Sequence, residues 1–193
     1  MHPTRFLLAF LFTLCIQGCS NGGIVGAVSQ ASFSNDARPF EQQLNDSKIE
    51  ISLQKSLSKD KKISKYTNIS VVCFNHTVFL FGQAPNHLLI ERILKNIKQH
   101  DEVRTMTIRN LIRTREPISI MTRSEDAWIS THIKGQLAKH KNIDPSRIKV
   151  ITENKEVFLL GLVPKQQADQ AILIARKTNH VTKVIHAFEL TKE

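Results

Sequence analysis

A chain of 193 residues with 27 Lys and Arg against 17 Asp and Glu carries a formal charge of +10, which points to a partner of negative charge. Aromatic side chains are scarce, with one Trp and one Tyr, and the basic residues are spread along the chain. No stacking platform or groove-reading motif is present, so nucleic acid is not the expected partner.

In chain order, residues 1–18 read as a targeting segment. Arg5 supplies the positive start, and residues 6–16 form an apolar run too short to cross a bilayer, which takes ~20 residues. The run closes on Leu14-Cys15-Ile16-Gln17-Gly18-Cys19-Ser20, which resembles the lipobox of bacterial lipoproteins. That resemblance implies lipidation of Cys19 and cleavage after Gly18. Ser20, rather than Asp, beside the cysteine is similar to lipoproteins sent on to the outer membrane. Removing Arg5 with the leader leaves 26 basic against 17 acidic side chains, or +9. With Cys15 discarded and Cys19 acylated, Cys73 is left alone and cannot form an intramolecular disulfide. It alternates within a strand-like run, which predicts a buried, inert thiol.

Residues 19–45 are rich in Ser, Asn, Gly, Gln and Ala without a sustained period, and predict a flexible tether. At ~5–6 Å × √n, such a segment has a root-mean-square reach of roughly 25–30 Å.

Beyond the tether the chain repeats itself. Residues 77–85 (TVFLFGQAP) recur as residues 156–164 (EVFLLGLVP), each an apolar run of strand length ending at a Gly with a Pro three residues on. Ahead of each lies a second β-rich run, at 69–74 and 148–152. The intervening turns, Asn75-His76 and Glu153-Asn154-Lys155, predict two hairpins. Helical patterns follow at 86–100 and 165–179, then closing strands at 103–112 and 181–190. A leading helix precedes each hairpin, with Ile49, Leu53 and Leu57 answered by Ile129, Ile133 and Leu137. The prediction is two small α+β domains, at 46–115 and 124–193, joined by a short Pro117-containing linker at 116–123 and packed on each other.

The two leading helices differ on their outer face. Alignment of their apolar stripes sets Lys48 opposite Trp128, which lies about 100° from Ile129 and off the core. Thr131, His132, Gly135, Ala138 and Lys139 share its side of the helix, and Lys134, Lys139 and Lys141 surround it with charge. One amphipathic aromatic among small residues and lysines suits the headgroup boundary of an anionic bilayer. The competing reading places Trp128 over the seam between the domains.

No catalytic constellation accompanies this face. The eight histidines are scattered, with His132 and His140 too far apart on their helix to share a metal, and no Gly-rich phosphate loop occurs. Asp101-Glu102 and Glu125-Asp126 are expected at helix ends, where carboxylates cap first turns. Neither catalytic residues, a metal site nor a cofactor is expected.

The combined pattern resembles the dual BON-domain lipoproteins of Gram-negative bacteria, most closely over 124–140 and 154–188. The residues that carry the likeness are Asp126-Ala127-Trp128-Ile129, Gln136-Leu137 and residues 156–163. The resemblance implies an αββαβ fold per domain, with a three-stranded mixed sheet packed against two helices. It also implies an outer-membrane, lipid-anchored protein that faces the periplasm and supports envelope integrity. Within the family it further implies binding of anionic phospholipid through the first helix of the second domain, with enrichment at division sites, and Trp128 matches the Trp that makes lipid contact. Ala138 and Lys139 depart from a more apolar or neutral pattern, which shifts weight from insertion towards charge attraction, and Pro164 is not general in the family. The alternative is a periplasmic protein-interaction or chaperone-like module acting with outer-membrane assembly machinery. Lipid docking should weaken with salt and require anionic headgroups, whereas an apolar protein contact should respond much less.

Overall fold

The computed structural model describes residues 40–192. The leader, Cys19 and the tether up to residue 39 lie outside the described residues. Helix α1 (Phe40–Lys59) buries Ile49, Leu53 and Leu57 as their spacing predicts. It starts inside the stretch expected as tether, because its first buried side chains, Gln43 and Asp46, are polar and leave no apolar period. A short helix α2 (Lys61–Tyr66) follows, capped by Asp60, whose carboxylate accepts the Lys62 and Ile63 N–H groups. Its one buried residue, Ile63, is too little pattern to predict it from.

Strands β1 (Asn68–Phe74) and β2 (Thr77–Ala84), helix α3 (His87–Lys98) and strand β3 (Thr107–Thr114) complete the first domain. Val103, expected to open β3, instead sits in a 3-10 turn at Asp101–Val103 and buries its side chain from there. The second domain runs α4 (Ile120–Lys139), a 3-10 turn (Pro145–Arg147), β4 (Ile148–Glu153), β5 (Glu156–Pro164), α5 (Lys165–Lys177) and β6 (Lys183–Thr191). Helix α4 begins within the expected linker because Ser119 caps it, its Oγ accepting the Thr122 N–H at 3.2 Å.

Each domain has one three-stranded mixed sheet. The central strand pairs antiparallel with its hairpin partner and parallel with the closing strand, in the orders β1-β2-β3 and β4-β5-β6. Both hairpins close through two residues of positive φ, Asn75 (43°) with His76 (60°) and Asn154 (50°) with Lys155 (64°), as a tight primed turn requires. Glu153, read as part of the second turn, pairs with Glu156 and belongs to β4.

The two glycines of the repeat lie within their strands, which continue to Ala84 and Pro164. They are required by crowding rather than by strand exit. A Cβ on Gly82, whose φ is +118°, would stand 1.8 Å from the Asn68 carbonyl oxygen, and one on Gly161 would stand 2.5 Å from that of Arg147.

The uninterrupted apolar runs of β2 and β5 follow from burial on both faces. Val78 and Leu80 face α1 and α3 in one core, and Val157, Leu159 and Val163 face α4 and α5 in another. The opposite faces meet in a third cluster of Val72, Phe74, Phe79, Phe81, Phe158 and Leu160. Phe81 and Phe158 touch there with ring centroids 4.5 Å apart. The domains are thus packed sheet against sheet, with α1 and α4 on opposite outer layers. A polar cluster borders the seam: Gln83, fully buried, donates to Glu153 Oε1 at 2.6 Å, and Asn68 Nδ2 donates to the same oxygen at 3.1 Å. Arg113 pairs with Glu156 and Lys149 with Glu50 across the same boundary.

Candidate functional site

Trp128 stands on the outer side of α4, 48% exposed. Its ring neighbours are His132, stacked at 4.9 Å between centroids, and His180, edge-on at 5.9 Å. All three belong to the second domain, and the seam cluster contains no residue of α4. Gln136 Nε2 lies 2.6 Å from His132 Nε2, so residues 128, 132 and 136 form a ladder at i, i+4 and i+8 that orients the imidazole against the indole.

The other expected residues divide. Thr131, His132, Gly135, Ala138 and Lys139 are exposed, and by helical spacing they share the Trp128 side; nothing lies within 4 Å of a Cβ built at Gly135. Lys141 is exposed just past the helix. Lys134 is also exposed. Six residues from Trp128 place it about 120° round the helix, at the edge of that side next to Ala138, and its ammonium sits near Lys149 of β4. Partial desolvation, with Lys149 adding repulsion, holds Lys134 below its ordinary pKa.

Two contributors were not anticipated. Met121, 75% exposed, lies seven residues before Trp128 and extends its stripe two turns towards the N-terminus. Helical spacing would have found it had the helix been started at Ser119. His180 arrives from the turn after α5 with φ of 68°, and only the fold brings it to α4. Met121, Ser124, Glu125, Trp128 and His180 line a shallow groove of about 270 Å³, at whose edge Glu125 pairs with Lys155 at 2.9 Å.

Asp126 is not a first-turn carboxylate. It is the seventh residue of α4, buried, and accepts the N–H groups of Asn154 and Lys155, both at 2.7 Å. Burial raises its pKa against the pull of those two bonds. Asp46, the seventh residue of α1, accepts the Asn75 N–H at 3.2 Å in the same way. In both domains a helical Asp therefore fastens the hairpin turn. Cys73 is buried, and desolvation, reinforced by Glu50 and Asp46, pushes its thiol up to about 12, which makes it inert at neutral pH. Among the described residues, no helix is long and apolar enough to cross a membrane.

This is a pair of αββαβ domains, packed sheet to sheet, whose candidate site is a helix face rather than a deep cleft. The chain belongs to the BON domain family, which matches residues 45–115 and 125–192. It is 32% identical to the outer membrane lipoprotein DolP of Haemophilus influenzae over 98% of this chain and 97% of that protein. It is also 40% identical to a 21 kDa hemolysin of Actinobacillus pleuropneumoniae, over 78% of this chain and 76% of the relative. By the first relationship it is an outer-membrane, lipid-anchored protein. Among solved structures, the C-terminal domain of CdsD from the type III secretion system of Chlamydia trachomatis is similar at a TM-score of 0.30 and 13% identity, covering 76% of this chain and 67% of that one.

Proposed function

We propose that this protein is a non-catalytic, Cys19-anchored component of the periplasmic side of the outer membrane that docks on anionic phospholipid through the outer face of α4 and so supports envelope integrity. The observation that carries the reading is the exposure of the only Trp, 48%, in line with Met121, 75%, on a helix that ends among Lys139 and Lys141. Burying the indole and thioether at the acyl boundary is favourable, and each lysine near the headgroups adds about 1 kcal/mol. The acyl chain localises the protein, and the helix adds selectivity for lipid composition. Enrichment at division sites would then follow from where anionic lipid collects.

The test is co-sedimentation of the Cys19→Ser chain, which has no acyl anchor, with vesicles containing or lacking phosphatidylglycerol at low and high salt. Binding should require the anionic lipid, weaken as salt rises, and fall at least tenfold in Trp128→Glu. Equal binding to neutral vesicles, or an unaffected Trp128→Glu, would overturn the reading. Retention by an envelope protein without lipid and without salt dependence would favour the interaction-module alternative.

A further inference from the structure

Helix α1 holds the place in the first domain that α4 holds in the second. Asp46, Ile49, Leu53 and Leu57 occupy the inward positions taken in α4 by Asp126, Ile129, Ile133 and Leu137. The outward positions therefore correspond too, with Lys48 in the place of Trp128, Ile51 in that of Thr131, Lys55 in that of Gly135 and Lys59 in that of Lys139. At about 100° per residue, Leu44, Lys48, Ile51, Lys55 and Lys59 fall within roughly 80° of one another on one outer stripe. All five are exposed, Ile51 at 69% and Leu44 at 40%. Residues 51–59 contain no Asp or Glu, so no carboxylate on that length of the helix neutralises the stripe.

A stripe of two exposed aliphatic side chains and three lysines at i, i+3 and i, i+4 spacing matches an anionic bilayer in charge and in its apolar boundary. Its direction sets it apart from the face on α4. The sheets meet through the sides that their helices do not cover, which sets α1 and α4 on opposite outer layers of the stack, each with its outer face turned from the seam.

We propose that the Lys48-Ile51-Lys55-Lys59 face of α1 is a second docking surface for anionic phospholipid, directed away from the first, so that the tandem links two lipid surfaces. Docking by α1 stands on its own residues. The linking of two surfaces rests in addition on the α4 reading.

The experiment places the full, lipidated chain in donor vesicles containing phosphatidylglycerol and adds dye-labelled acceptor vesicles with or without that lipid. Two signals are followed: capture of acceptors by co-sedimentation, and Trp128 emission in the donor membrane. Wild type should capture acceptors containing phosphatidylglycerol and not neutral ones. Lys48→Glu, Lys55→Glu and Lys59→Glu together should lower capture at least tenfold while circular dichroism and Trp128 emission stay at wild-type values. Ile51→Ser, which leaves the charge alone, should lower capture several-fold. Undiminished capture by the triple Glu variant would overturn the proposal, and undiminished capture by Ile51→Ser would overturn bilayer contact in favour of unspecific attraction. If capture falls as expected but donor phosphatidylglycerol never alters Trp128 emission, the α1 surface stands and the α4 reading fails.

Discussion

The two domains share the inward side of their leading helix and differ on its outer side. Inside, the same positions recur: three aliphatic residues along the leading helix, a buried Asp reaching the hairpin turn, a Gly where backbone crowds the central strand. Outside, Lys48 in one stands where Trp128 stands in the other, and Lys55 where Gly135 does. Packing constrains the inward positions of the leading helix to a narrow choice of shape and polarity, whereas the second helix is repacked, with Ile90, Ile93 and Ile97 buried in α3 and Ala168, Ala171 and Ala175 in α5. The outer faces of α1 and α4 are exposed, so their difference bears on what each domain meets at its surface.

The shared interior is not equally strained in the two copies, which gives the sharpest way to break the symmetry. Gly82→Ala must place a Cβ 1.8 Å from a carbonyl oxygen at a φ of +118°, and should cost more than about 4 kcal/mol. Gly161→Ala has no left-handed backbone to maintain and meets its nearest oxygen at 2.5 Å, so overpacking of about 1–3 kcal/mol is expected. Denaturant unfolding of the two variants should separate them in that order. Asp126→Ala leaves the Asn154 and Lys155 N–H groups without their charged acceptor and should cost about 1.5–3 kcal/mol by the same measurement, with the second hairpin losing hydrogen-exchange protection first.

The smallest stability effect concerns pH. Desolvation raises Glu153 above its ordinary 4.5, outweighing the hydrogen bonds from Gln83 and Asn68. A carboxyl whose folded value is raised contributes stability that is complete below the unfolded value and is lost as pH rises through the folded one. Wild-type stability should therefore decline from the mildly acidic range towards neutrality. Glu153→Gln, which keeps an acceptor oxygen for the seam, should flatten part of that decline and change neutral-pH stability by less than about 1 kcal/mol. Asp126, also raised, retains its own share of the slope.

Much of the fold was legible because its signals are local. The recurrence of the central strand, the spacing of Ile129, Ile133 and Leu137, and the turn pair Asn75-His76 each specify structure over a few residues. What escaped was set by polar burial or by tertiary placement. Gln43 and Asp46 made the first turns of α1 look like tether, and a single buried Ile63 hid α2. The apolar runs showed that β2 and β5 are buried, but not that their second faces meet each other. At the candidate site, Trp128, His132 and Lys139 were legible from helical spacing. Lys134 lies at the edge of the Trp128 side by the same spacing, Met121 precedes the helix start that the sequence pattern suggests, and His180 is invisible without the α5–β6 connection.

The central claim is that Trp128 enters an anionic lipid surface, and its emission reports on that directly because the chain has no other Trp. The measurement is a fluorescence titration of the Cys19→Ser chain with vesicles containing or lacking phosphatidylglycerol. The account predicts a blue shift confined to the anionic vesicles and reversed by salt. An emission spectrum unchanged by phosphatidylglycerol would contradict it.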